Sequence, residues 1–168
     1  EVTAKAMRGE IAFNDSLTHR VACLEGVPVA HLKKIRDSLP IMPGIQSLLA
    51  YLKQHNWKLA IASGGFTFFA DHLKARLGLD FAISNTLAVS ENLLTGKVEG
   101  EIVNADVKAR TVKQLAEKWQ IPTSQTVAMG DGANDLVMMA ESALGVACHG
   151  KPLVNEKADV AIRIGSLH

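Results

Sequence analysis

Val127-Ala128-Met129-Gly130-Asp131-Gly132-Ala133-Asn134-Asp135 is an apolar run that gives way to a glycine-spaced acidic loop. The run from Thr126 to Met129 is short and bounded by glycine, the pattern of a buried strand. Gly130 and Gly132 let the backbone leave the sheet through a tight turn. From Ala133 the spacing becomes helical, with Leu136, Met139 and Ala140 on one face. Asp131, Asn134 and Asp135 are thereby delivered to the point where a strand ends and a helix begins. In open α/β sheets that point, beyond the carboxyl end of a strand, is where ligands sit. Two carboxylates and an amide suit a hard cation such as Mg2+, which takes a few oxygen ligands and keeps several waters. The same residues also read as a Gly-Asp turn in which Asn134 or Asp135 caps the next helix.

A second loop of this kind lies upstream. Trp57 to Ala62 reads as a strand that ends in Ser63-Gly64-Gly65, followed by a helix from Phe66 to Leu77. Backbone N–H groups at a helix start, glycines that permit close approach and a hydroxyl make a phosphate-sized cradle. The plainer reading is a tight turn with Ser63 as a cap. Further strands are expected at Phe81–Ser84, Leu144–Cys148 and Val160–Ile164, with a hairpin turning around Leu94-Thr95-Gly96. Asp106 begins a helix that carries Lys108 in its first turn. A lysine there opposes the helix dipole, so Lys108 is either aimed at a bound anion or solvated. Strands alternating with helices predict an α/β fold with a doubly wound, mostly parallel sheet.

Residues before about 40 read as helices without strands. Asp15 or Ser16 is placed to cap a helix through Leu17, Val21 and Leu24. A third helix starts near Pro28 and carries Leu32, Ile35 and Leu39. This opening is suited to a small lid, which gives a helical cap over residues 1–40 and an α/β core over 41–168. Arg20 has the donor fork that matches a carboxylate or phosphate; on spacing alone an exposed helix arginine is the favoured reading.

Composition narrows the partners. The 168 residues are 48% apolar and 21% charged with a net charge of +1, an ordinary globular balance. With no basic run and only 5% aromatics, neither nucleic acid nor a membrane surface is indicated. No apolar run spans a bilayer, and the first residues do not form a signal peptide. Cys23 and Cys148 are far apart in sequence and form no CxxC pair, so a reducing cytoplasm is the expected setting.

Taken together, Ala62-Ser63-Gly64-Gly65-Phe66, Gly130-Asp131-Gly132-Ala133-Asn134-Asp135 and Lys151-Pro152 with Glu156-Lys157-Ala158-Asp159 resemble the haloacid dehalogenase-like phosphatases. Within them the chain looks most like the phosphoserine phosphatases, whose cap is resembled by Ala6-Met7-Arg8-Gly9 and by Ser16-Leu17 with Arg20-Val21. The resemblance implies the Rossmann-like fold of that superfamily, with a helical cap. It also implies hydrolysis of O-phosphoserine to L-serine and phosphate through an aspartyl-phosphate, with Mg2+. On this basis Asp131 binds Mg2+ and Asp135 supports or shares that role. Ser63 and the Gly64 backbone hold phosphate oxygens, Lys108 neutralises phosphate and nucleophile, and Asn134 contacts bound substrate. Arg20 grips the substrate carboxylate. A homodimer is compatible with the resemblance.

One departure matters. The family's Asp-x-Asp motif, which supplies the nucleophile and the general acid, matches none of the eight aspartates, and the cap glutamate is also missing. In this fold that motif follows a central strand flanked by the strands ending at Ser63 and Asp131. The expectation is that the 168 residues belong to a longer polypeptide, or work with an upstream piece. Two other readings stay open: a related phosphatase for another small phosphomonoester, and a non-catalytic module that binds phosphate or metal.

Overall fold

In the computed structural model, residues 12–167 are described, and the chain divides into two compact units, Glu1–Ile102 with His168 and Val103–Leu167. Ala6-Met7-Arg8-Gly9 and the helix end expected over Val2–Arg8 lie outside the described residues.

The first unit opens with helices α1 (Phe13–Ala22), α2 (Val29–Asp37) and α3 (Ile45–Gln54). Leu17 and Val21, four residues apart and so on one helical face, are each only 1% exposed. They join Leu32 of α2 and two strand residues, Leu87 and Leu94, in the core of this unit. Helix α1 starts after Ala12, not at Asp15 or Ser16. Ser16 is instead an internal, buried residue whose hydroxyl has no partner among the described residues. Pro28 flanks α2 as its N-cap, and Ile35, expected inward, is exposed.

Strand β1 (Ala60–Phe66) leads directly into α4 (Thr67–Leu77), and β2 (Phe81–Ser90) and β3 (Leu93–Glu99) complete a three-stranded sheet in the order β1-β2-β3. β1 pairs parallel with β2, and β2 antiparallel with β3. Two sequence expectations are corrected here. The strand foreseen over Phe81–Ser84 continues to Ser90, and the hairpin turns at Glu91-Asn92, not around Leu94-Thr95-Gly96. Both turn residues have positive φ, 51° and 65°, the geometry whose twist suits a two-residue hairpin. Gly96 lies inside β3, where φ is +77° and an added Cβ would stand 3.0 Å from Glu25 Cβ and 3.3 Å from the Ala22 carbonyl. That glycine lets the end of α1 approach the strand; it does not make the turn.

The second unit runs α5 (Ala105–Lys118), β4 (Val127–Gly130), α6 (Leu136–Ala140), β5 (Leu144–Cys148), α7 (Pro152–Lys157) and β6 (Val160–Ile162). Its strands form a wholly parallel sheet in the order β4-β5-β6. Asn104 caps α5, its side-chain oxygen accepting from the Val107 N–H at 3.1 Å. α5 buries Val107, Lys108, Thr111 and Leu115 along one stripe. α6 is one turn long, preceded by a 3₁₀ turn over Ala133–Asp135, and turns Met138 and Met139 inward; Ala140, expected on the inner face, is exposed.

Among the described residues three of the four strand pairings are parallel, as the α/β reading requires. The strands nevertheless form two sheets, and β1 and β4, which carry the two loops of interest, are each the edge of their own sheet. Among the described residues no helix is long and apolar enough to cross a membrane.

Candidate active site

In the second unit the acidic loop closes on itself through Asp135. This carboxylate is 6% exposed. One oxygen, Oδ2, accepts from the N–H groups of Asp131 at 3.2 Å and Gly132 at 3.1 Å. The other, Oδ1, accepts from Lys108 Nζ at 2.8 Å. Lys108 is 5% exposed, so it is not a solvated lysine at a helix start. The anion it faces in the structure is a carboxylate of the protein itself. A buried cation and anion each need a partner, because desolvation makes an isolated charge costly.

The glycines of this loop serve a different purpose from the one read in the sequence. Neither Gly130 nor Gly132 has positive φ. A Cβ on Gly130 would instead lie 2.5 Å from the Cβ, Cγ and Oδ2 of Asp135. On Gly132 it would overlap Asn134 Oδ1. The glycines are needed for the space that Asp135 and Asn134 occupy against the backbone.

Asp131 stands apart from this clasp. Its backbone is held at both ends, the N–H by Asp135 and the carbonyl by the Lys151 N–H at 3.2 Å. Its side chain is exposed, and neither carboxylate oxygen has a protein partner among the described residues. Its charge is felt by Cys148 at the end of β5. Burial raises that thiol's pKa above the ordinary 9.0, and the Asp131 carboxylate adds to the rise. As a cation ligand, Asp131 is therefore available and Asp135 is already committed on both oxygens. A single free carboxylate with room for water fits a hard divalent ion that keeps several waters. Among the described residues no cluster of three or more His, Cys, Asp or Glu forms a metal cage.

In the first unit the second loop is built from neutral groups. Ser63 and Gly64 lie where the pairing of β1 with β2 shifts register between Ala62 and Phe66, a bulge of the kind that re-aims a strand end. Ser63 Oγ accepts from the Gly65 N–H at 3.0 Å. That bond uses a lone pair and leaves the hydroxyl proton free to donate. Ser63 is not the cap of α4, whose N-cap is Phe66.

The residue that sequence reasoning missed is Asn85. It is fully buried, and its Nδ2 donates to the Gly64 carbonyl at 3.0 Å and the Gly65 carbonyl at 3.1 Å. In a trans peptide the carbonyl and the N–H point in opposite directions. Pinning these two carbonyls therefore fixes the direction of the Gly65 and Phe66 N–H groups. The available signal was an asparagine within the apolar run of β2, where a buried amide needs partners.

Arg20 lies in the last turn of α1 and is exposed. It makes no hydrogen bond or ion pair among the described residues. Asn134 is half-buried in the 3₁₀ turn. Thus the structure joins Lys108, Asp135 and the Asp131 backbone in one unit and Ser63, Gly64 and Asn85 in the other, and leaves Arg20 unengaged.

Comparison with known proteins places this arrangement. The family profile described as haloacid dehalogenase-like hydrolase matches residues 1–142. The phosphoserine phosphatase of Vibrio cholerae is 50% identical over 167 residues, covering 99% of this chain and 51% of the relative. That of Idiomarina loihiensis is 46% identical, covering 99% of this chain and 76% of the relative. A phosphoserine phosphatase solved with its substrate bound superposes with a TM-score of 0.92 at 36% identity, over 99% of this chain and 79% of that one. The chain thus spans about half the length of the Vibrio relative, with 51% covered. Members of this family generally work with a divalent metal. The chain belongs to the haloacid dehalogenase-like hydrolase family, in the group formed by its phosphoserine phosphatases.

Proposed function

We propose that the protein containing this chain hydrolyses O-phosphoserine to L-serine and inorganic phosphate, with Mg2+ as its metal and in the cytoplasm. The observation that carries this reading is the division of labour in the acidic loop. Asp135 is spent on Lys108 and the backbone, so Asp131 is held in place with its carboxylate free. Around it stands a chain 50% identical to a phosphoserine phosphatase.

On this reading residues 1–40 form the helical cap and Arg20 takes the substrate carboxylate, a bond its fork suits. Ser63 donates its free hydroxyl proton to a phosphate oxygen, and the Gly64 N–H binds another. Lys108, with one donor on Asp135, offers its remaining donors to the phosphate. Asn134 contacts the bound substrate. Asp131 would hold the Mg2+, which when bound offsets the negative charge that a phosphate dianion and a carboxylate nucleophile bring together. By resemblance the nucleophile and general acid form an Asp-x-Asp motif, which is not among these 168 residues. The aspartyl-phosphate step is therefore proposed for the whole protein. Two features support a further strand bearing that motif. The chain covers 51% of its Vibrio relative, and β1 and β4 each present an unpaired edge among the described residues.

The test is phosphate release by the full-length protein with Mg2+, from O-phosphoserine and from phosphoethanolamine, which lacks the carboxylate. Phosphoserine is expected to be the better substrate. Arg20→Gln should cost it roughly 10- to 100-fold in kcat/KM, the equivalent of one charge-assisted hydrogen bond, with little effect on phosphoethanolamine. Equal rates for the two compounds would sink the substrate reading, and no phosphate release from either would sink the activity.

A further inference from the structure

The first unit contains a cleft of about 390 Å3 that none of Arg20, Ser63 and Gly64 lines. Its walls are one face of α2, one face of α4 and the β2–β3 hairpin. On α2 the lining residues are Val29, Leu32 and Arg36, spaced three and four apart and therefore stacked along one side of the helix. The Val29 end is fixed beside the hairpin tip, where the Val29 N–H donates to the Asn92 carbonyl at 3.0 Å and Pro28 bridges to Leu93. Val89 lines the hairpin wall. Arg36 lies seven residues further along α2, about 10 Å at the helical rise. The cleft is thus apolar at the hairpin end and carries its cation towards the other.

The charged groups of the cleft keep hydrogen-bonding capacity that no protein group uses among the described residues. Arg36 lies over the Phe68 ring at 4.8 Å from its centroid and donates through Nε to Asp37 at 3.2 Å. That fixes the guanidinium plane while neither terminal nitrogen reaches a protein acceptor among the described residues. Asp71 and His72, the residues three and four along α4 from Phe68, also line the cleft. Neither makes a hydrogen bond or ion pair among the described residues. A rigid fork, an imidazole and a carboxylate beside an apolar recess match one chemical class: a carboxylate and an ammonium group close together on a molecule with an apolar tail. The volume is at the small end for ligand pockets.

We propose that this cleft is a second ligand site, which takes a free α-amino acid with a branched or aromatic apolar side chain. Arg36 and His72 receive its carboxylate, Asp71 its ammonium group, and Val29, Leu32 and Val89 its side chain.

The test uses the full-length protein with methyl-labelled valine and leucine and three probes: L-leucine, 4-methylpentanoate and isoamylamine. Each is titrated to about 10 mM, within the range where millimolar affinity is measurable. Leucine should shift the methyl signals of Val29, Leu32 and Val89 saturably. 4-Methylpentanoate and isoamylamine should bind at least about tenfold more weakly, each having lost one charged contact. Arg36→Gln should weaken leucine by a similar factor, with Arg36→Lys in between. Because Arg36 also packs on Phe68, Asp71→Asn provides an independent arm at an exposed residue, and should remove the preference for leucine over 4-methylpentanoate. No saturable shift, equal binding of isoamylamine, or unchanged leucine affinity in Asp71→Asn would each overturn the proposal.

Discussion

The two loops at the strand ends reach the same result by opposite physics. In Gly130–Asp135 the clasp is ionic and local. One buried carboxylate, four residues from Asp131, gathers two backbone N–H groups and a lysine. In Ser63–Phe66 the clasp is neutral and remote, an amide about twenty residues away that holds two carbonyls. The ionic loop leaves a negative side chain facing out and the neutral loop leaves an O–H donor. These are the complementary needs of a cation and a phosphate oxygen. The ionic loop needs its buried charge matched from a neighbouring helix, and Lys108 is that match.

Breaking the ionic clasp should have the largest effect. Lys108→Met in the full-length protein leaves Asp135 buried without its cation, which should cost about 3–5 kcal/mol in urea unfolding. Adding Asp135→Asn should recover part of that loss by removing the orphaned charge. If the double variant is no more stable than Lys108→Met, the pair is not what holds the loop. Gly130→Ala attacks the same clasp sterically. Its methyl group would overlap the Asp135 carboxylate and Cβ, so about 1–3 kcal/mol should be lost together with metal binding, measurable by Mg2+ titration. Gly132→Ala collides only with the end of the Asn134 side chain, with Asp135 Oδ2 at ordinary contact distance, and should cost less.

The neutral clasp should fail more gently. Asn85→Leu removes both donors and leaves the Gly64 and Gly65 carbonyls part-buried without partners, at about 1–3 kcal/mol. The loss should appear as weaker binding of inorganic phosphate as well as lower stability. Ser63→Ala should leave stability within about 1.5 kcal/mol while lowering phosphate affinity. If Asn85→Leu binds phosphate as the unaltered protein does, the placement of Ser63 and the Gly64 N–H does not depend on that amide.

This asymmetry explains what the sequence disclosed. The loop that places Asp131, Asn134 and Asp135 after a strand is legible because its geometry is set within one turn, and so is the alternation that gives a mostly parallel α/β fold. Lys108 stands out by its misfit with the helix dipole, although nothing local points to its partner 27 residues on. Asn85 escaped because no local pattern says where a strand amide will point. The hairpin was misplaced because Gly96 carried the strongest turn signal. Its glycine is required by the approach of α1, a tertiary contact that no window along β3 contains. Helix α1 was started too late for a similar reason: Ser16 has cap chemistry, but Leu17 and Val21 draw the segment around it into the core.

The smallest effect is a pH dependence that reports the charge of the ionic loop. Burial first, and then the Asp131 carboxylate, hold the Cys148 thiol above its ordinary pKa of 9.0. A thiol whose pKa is higher folded than unfolded keeps its proton longer in the native state. Its contribution to stability is therefore fully present below the unfolded value and is lost as pH rises through the folded one. In EDTA, urea midpoints of the full-length protein should fall as pH is taken upward from 9.0, and less steeply in Cys148→Ala. Asp131→Asn should move the Cys148 pKa, followed by thiolate absorbance, part of the way back, leaving the share due to burial. Saturating Mg2+ on the unaltered protein should do the same, because a cation on Asp131 offsets the charge that Cys148 senses. If Mg2+ binds yet leaves the thiol titration unchanged while Asp131→Asn shifts it, the metal is held elsewhere than on Asp131.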